Sequence, residues 1–99
     1  MSELHHLTAQ EQWSSLQRGD VTPAELVDHY LDRIARLDPE LGAFLTVTAD
    51  DARARAQAVE TASTRAAGLW GLPSADKDLV LRKGVRTTFG SRLFENFEP

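Results

Sequence analysis

The chain has 99 residues, room for one domain with a modest core, since a chain of this size buries about two-thirds of the surface its unfolded form exposes. Hydrophobic residues make up 41% and charged residues 26%, an ordinary globular balance that argues against a disordered chain. The net charge of −4 divides into three basic and eight acidic residues up to position 49 and eight basic and seven acidic after it; neither part is basic enough to suggest nucleic-acid binding by bulk charge, a basic patch on one face stays open, and the lack of cysteine excludes disulfides and thiolate metal sites.

The first helix is expected over about 8–18. Thr8 and Glu11 have the spacing of a capping box, Trp13 and Leu16 give an apolar edge, and Gly19 follows Arg18 as a stop. The second is expected over about 22–37. Thr22 and Glu25 repeat the capping box, Pro23 takes the first helical position where its missing N–H costs nothing, and Val21 and Leu26 are spaced as a hydrophobic staple. Leu26, Val27, Tyr30, Leu31, Ile34 and Leu37 recur at helical spacing, and Asp38-Pro39 is the expected end, because a residue before proline avoids the α region.

Ala43 to Val47 is short, apolar and partly β-branched, so a buried strand is expected over about 43–47. Thr48 and Asp51 open an alanine-rich helix over about 49–66, with Ala52, Ala56, Val59 and Ala66 near one face and Gly68 as its stop. Gly71-Leu72-Pro73 is a turn, and residues 75–81 read as a second strand. Arg82-Lys83-Gly84 turns out of it, Val85 to Thr88 gives a further short strand, and Gly90-Ser91 caps a short helix at 92–97. The alternation of helix and strand predicts an α/β arrangement.

Within the second strand, side-chain alternation places Lys77 with Ala75, Leu79 and Leu81 on the more apolar face, and Asp76 and Asp78 on the other. A lysine stripped of hydration favours its neutral form, which can act as a general base near neutral pH. The competing reading is an exposed loop in which Lys77 pairs with a neighbouring aspartate, the commoner fate of a lysine. His5 and His6, adjacent and without a nearby third ligand, read as a solvated tail rather than a metal site. Gly68 and Gly71 lack the Gly-Lys-Ser/Thr ending of a phosphate loop. Trp13, Phe44 and Trp70 read as core.

Gly71-Leu72-Pro73-Ser74-Ala75-Asp76-Lys77-Asp78-Leu79, followed by Gly84-Val85-Arg86-Thr87-Thr88-Phe89-Gly90-Ser91, resembles the amidase signature family. The family's pattern is a Gly-aliphatic-Pro turn, a Lys-Asp pair four residues later, then Gly-x-x-Thr-(Thr/Ser)-x-Gly-Ser; the matched spacing covers 21 positions. The segment upstream, from about Leu7, is similar to the family's opening helices and Ala-Phe-Leu stretch. The resemblance therefore spans nearly the whole chain but only the first part of the family's fold. It implies an α/β fold, helices packed on a mixed β-sheet, incomplete here, with residues 1–99 as the N-terminal segment of an amidase domain.

The resemblance also implies a role for Lys77: the base of a Ser-Ser-Lys triad, drawing a proton through a bridging serine from a nucleophilic serine that attacks a carboxamide. The family's two serines lie in a Gly/Ser-rich stretch that this sequence does not contain, and Ser63, Ser74 and Ser91 are not in that context. Asp78 fits the Lys-Asp pair, with a positional role. Asp76 is a departure, since the family has an aliphatic residue there. The implied activity is that of an amidase hydrolysing carboxamides, with this chain inactive alone. The alternatives are the glutamine-hydrolysing A subunit of a tRNA-dependent amidotransferase and a small non-catalytic binding module. The expected ligand of the full-length protein is a small amide, with no metal or organic cofactor and no direct nucleic-acid contact, and a homodimer or a partner subunit stays open. With no apolar run of membrane-span length and no signal-peptide pattern, the expectation is a cytoplasmic protein without membrane association.

Overall fold

A computed structural model describes residues 3–61 and 68–99. A single 3-10 turn, Leu4–His6, precedes three helices: α1 Ala9–Arg18, α2 Pro23–Leu41 and α3 Ala49–Glu60; a second 3-10 turn lies at Arg92–Phe94. The chain divides into two compact units, residues 1–42 with 48–73, and residues 43–47 with 74–99.

The first unit is built by its caps and one apolar cluster. The Thr8 hydroxyl accepts from the Glu11 N–H at 3.1 Å while the Glu11 carboxylate accepts from the Thr8 N–H at 2.8 Å. Thr22 and Glu25 repeat this at the start of α2, at 3.1 and 3.0 Å. Two otherwise orphaned N–H groups are satisfied at each helix start, worth about 1 kcal/mol per cap. Gly19, at φ +79, ends α1 in the left-handed conformation.

Val21 and Leu26 bring the entry and first turn of α2 into a core with Leu16 and Trp70, where Leu16 and Leu26 are fully buried. Each such leucine contributes about 1.5–3 kcal/mol through burial. Leu4, Tyr30, Val59 and Leu72 pack around this cluster. The Trp70 indole N–H donates to the Val59 carbonyl at 3.0 Å, which ties the loop after α3 back to that helix. Arg53 pairs with Asp28 at 3.0 Å, and the Ala24 N–H donates to Glu60 at 3.3 Å, so α2 and α3 are also joined by polar groups.

Asp38-Pro39 does not end α2. The helix carries Pro39 inside its last turn and runs to Leu41, where Gly42, at φ +60, caps it and donates its N–H to the Asp38 carbonyl at 2.8 Å. A proline so near the end removes one backbone bond, and the left-handed glycine that follows gives the final carbonyls a better stop. In α3, Thr48 occupies the cap without a side-chain hydrogen bond, and Asp50 and Asp51 in the first turn complement the positive end of the helix dipole. Ala56 is buried on the expected face. The remainder of that expected helix, 62–66, lies outside the described residues.

The expected α/β architecture, with helices packed on a mixed β-sheet, is overturned. Among the described residues there is no strand; the regular structure is helical. Residues 43–47 and 75–81 carry strand-like side chains, but a strand needs a neighbour for its N–H and C=O groups and a partner for its apolar face. Among the described residues neither segment is paired with another strand. Phe44, Leu45, Val47, Leu79, Val80 and Leu81 are all exposed.

The second unit is a set of turns. The Lys77 carbonyl accepts from the N–H groups of Leu79 at 2.6 Å and Val80 at 3.0 Å, and Val85 donates to Arg82 at 3.0 Å. Gly84 donates to Pro99 and Thr87 to Phe97, both at 2.9 Å, so residues 84–87 lie beside the chain end without a regular ladder. Phe89, Phe94 and Phe97 gather with ring centroids 5.2, 5.8 and 6.5 Å apart. The short helix expected at 92–97 is the 3-10 turn Arg92–Phe94, capped by Ser91, whose hydroxyl accepts from the Leu93 N–H at 3.2 Å.

Candidate active site

Lys77 opens the turn 77–80 and its side chain is exposed. The expected strand face with Ala75, Leu79 and Leu81 is absent; all three neighbours are exposed too. Among the described residues the Lys77 ammonium has no hydrogen bond or ion pair. Asp76, the residue that departs from the family pattern, lies 3.8 Å from the Arg82 guanidinium, so its carboxylate is turned to a different cation.

The ordered chemistry next to Lys77 belongs to Asp78. Its Oδ1 accepts from the Thr88 N–H at 2.7 Å, and its Oδ2 accepts from the Thr88 hydroxyl. The Thr88 hydroxyl in turn accepts from the Gly90 N–H at 3.2 Å. One carboxylate therefore clasps both donors of a single threonine ten residues away, and each bond is charge-assisted. The clasp holds the Asp78 carboxyl below its usual range: the Thr88 hydroxyl and then the Thr88 N–H lower it, partial desolvation opposes them, and the Gly90 N–H and Arg86 add smaller downward pulls.

Thr87 and Thr88 are both buried, and each uses its hydroxyl internally, Thr87 donating to the Val85 carbonyl at 3.1 Å. After them the backbone turns left-handed twice, at Phe89 with φ +53 and Gly90 with φ +71. A bulky side chain in that region is strained by about 1–2 kcal/mol. Here it is held between the Thr88 clasp and the contact of Phe89 with Phe94.

This geometry explains why the two halves of the motif are spaced as they are. The Lys-Asp pair and the Thr-Thr-x-Gly-Ser stretch are joined by hydrogen bonds from Thr88 to Asp78, with Gly90 supplying the next donor. Sequence reasoning singles out Lys77 and gives Asp78 a positional role, but it misses Thr88; two adjacent threonines just before a Phe-Gly turn are the available signal. Ser91 is spent on its cap, and Ser74 is exposed beside the Gly71-Leu72-Pro73 turn. Ser63 lies outside the described residues.

A model of the amidase family matches residues 25–99. The chain belongs to the amidase family. The match contains Lys77, the Asp78–Thr88 clasp and the whole Gly71–Ser91 motif. Among its curated relatives, the glutamyl-tRNA(Gln) amidotransferase A subunit of Roseiflexus sp. is 45% identical over 103 residues, covering all of this chain and 21% of the relative. The protein of the same name from Acinetobacter baumannii is 38% identical over 98% of this chain and 20% of its own length, and that of Synechococcus sp. is 51% identical over 85% and 18%. The chain thus spans about one-fifth of the length of the curated relatives it matches. No solved structure matches it significantly. No helix among the described residues is long and apolar enough to cross a membrane. Beside Lys77, the Asp78 carboxylate joins the turn 77–80 to Thr88 through two hydrogen bonds.

Proposed function

We propose that this segment works within a chain of its relatives' length as the glutamine-hydrolysing A subunit of a tRNA-dependent amidotransferase, with Lys77 as the base of a Ser-Ser-Lys triad. The observation that carries the reading is the similarity to three proteins named as that subunit, over nearly the whole of this chain and across the motif that holds Lys77. In this reading neutral Lys77 accepts a proton, relayed by a bridging serine, from a nucleophilic serine. That serine attacks the glutamine carboxamide, ammonia leaves, and the acyl-enzyme is hydrolysed. Both serines would come from parts of the longer chain. Asp78, spent on Thr88, does not act on substrate; it holds the turn from which Lys77 projects. A cytoplasmic setting and a partner subunit belong to the same proposal.

A hydrolytic amidase acting on simple carboxamides is the second reading, favoured by the family match alone. Ammonia release separates the two: a chain of the relatives' length that prefers glutamine and needs a partner subunit supports the first, and one that hydrolyses simple amides unaided supports the second. The 99-residue chain by itself is expected to release no ammonia from either. Lysine-dependent hydrolysis by the pure chain, abolished in Lys77→Ala, would overturn that expectation.

A further inference from the structure

We propose that Glu3, His5 and His6 form a binding site for a divalent transition-metal ion of the zinc, copper or nickel class, on the 3-10 turn that precedes α1. One ligand atom from each of the three residues lies within 4.8 Å of the others. The ligand atoms of a tetrahedral zinc ion stand about 3.4 Å apart, so closing the site needs only small side-chain rotations. Imidazole and carboxylate together suit this class of ion and not calcium or magnesium.

The turn is a built element, not the solvated tail its sequence suggests. Gln12, itself buried in α1, donates to the Leu4 carbonyl at 2.9 Å and to the Tyr30 hydroxyl of α2 at 2.7 Å. The 3-10 turn is thereby tied to both helices, with the His5 side chain only 13% exposed. His29 of α2 stacks on His5, with ring centroids 5.1 Å apart, and its Nε2 lies 2.9 Å from His5 Nδ1. In the tautomer that carries its hydrogen on Nδ1, His5 donates to His29 and keeps the Nε2 lone pair for a metal ion. An imidazole whose second nitrogen is held in this way is the common arrangement of a metal-bound histidine.

In that tautomer the contacts of His5 Nε2 favour a cation between it and Glu3. Nε2 lies 3.0 Å from the Arg33 guanidinium, a donor, and 2.9 Å from a Glu3 carboxylate oxygen, an acceptor. With Nδ1 donating to His29, Nε2 accepts from Arg33, and its lone pair then faces that of the carboxylate. Arg33 reconciles the two from outside. A metal ion between Nε2 and the Glu3 oxygen would do so directly, displacing Arg33 and adding a ring nitrogen of His6, which is exposed and stacks edge-on against His5 at 4.3 Å. The remaining positions stay open to water.

The test uses the tag-free 99-residue chain titrated with Zn²⁺ by calorimetry, with Co²⁺ absorption and nitrogen-15 shifts of the histidine rings as independent readouts. The expected result is one ion per chain, with coordination shifts on His5 and His6. Binding should weaken about tenfold or more in Glu3→Gln and in His6→Ala, and tighten in Arg33→Gln, which removes the competing guanidinium. Glu3 and His6 are exposed, so these two variants keep the fold, as far-ultraviolet circular dichroism would verify. The proposal is overturned if Zn²⁺ binds the wild type no more tightly than His6→Ala, or if ring shifts appear on His29 and leave His5 and His6 unmoved.

Discussion

Replacing Gly71 by alanine tests whether the glycine of the motif serves packing. Gly71 has φ +78, where an L-residue is disfavoured by about 1–2 kcal/mol. A methyl group placed there would lie 3.1 Å from Leu16 Cδ1 and 3.1 Å from Pro23 Cγ, tighter than ordinary van der Waals contact. Leu16 is fully buried in the core and Pro23 is pinned at the first position of α2, so neither retreats freely. Overpacking of this kind costs about 1–3 kcal/mol more. Gly19 is the internal control: it has φ +79, and a methyl group there would meet no atom within 4 Å, so Gly19→Ala carries the backbone penalty alone. The gain from a stiffer unfolded chain is the same in both and cancels in the difference. Thermal unfolding followed by far-ultraviolet circular dichroism should therefore place Gly71→Ala below Gly19→Ala by about 1–3 kcal/mol, or several degrees to about 20 °C in Tm for a domain of this size. Equal destabilisation of the two variants would refute the claim that Gly71 is required by the approach of the turn to Leu16 and Pro23.

Truncating Leu26 to alanine removes a fully buried side chain from the centre of the first unit and should cost about 2–5 kcal/mol in urea unfolding; a loss under about 1 kcal/mol would mean the cluster is not the core. The Asp78–Thr88 clasp predicts a pH dependence with a definite sign. Because the folded-state pKa of Asp78 is lowered, the folded chain resists protonation there. The clasp's contribution is full above the ordinary aspartate range and is lost as the pH falls through the lowered value. Thr88→Val removes the largest lowering influence, so a carbon-13 titration of the Asp78 carboxyl should move up toward the ordinary aspartate value; an unchanged titration would mean that the clasp does not form.

The parts of the fold legible in the sequence are those governed by neighbours in the chain. Thr8, Glu11, Thr22 and Glu25 make capping boxes because the relevant donors and acceptors are three residues apart, and Val21 and Leu26 meet for the same local reason. Sequence reasoning fails where the outcome depends on partners distant in the chain. Leu79 to Leu81 and Phe44 to Val47 have the composition of buried strands, but composition does not supply the neighbouring backbone a strand requires, and they stand exposed. Pro39 reads as a stop, although Gly42 three residues later offers the stronger one. At the candidate site, the sequence points to Lys77 through its motif, and the strand face expected around it is absent among the described residues. The clasp between Asp78 and Thr88 is hidden because nothing in a ten-residue separation tells which hydroxyl a carboxylate will choose. The fold of His5 onto His29, across 24 residues, is hidden for the same reason.

The role proposed for Lys77 is tested most directly by ammonia release from glutamine in a protein of the relatives' length that carries this segment, assayed with the partner subunit the proposal calls for, in wild-type and Lys77→Ala forms. Lys77 is exposed within this segment, and circular dichroism checks that the variant folds as the wild type does. Loss of a general base predicts a fall in kcat of about 10²–10⁴, with unchanged circular dichroism. Glutamine hydrolysis within a factor of about two of the wild type would contradict the assignment of Lys77 as the base.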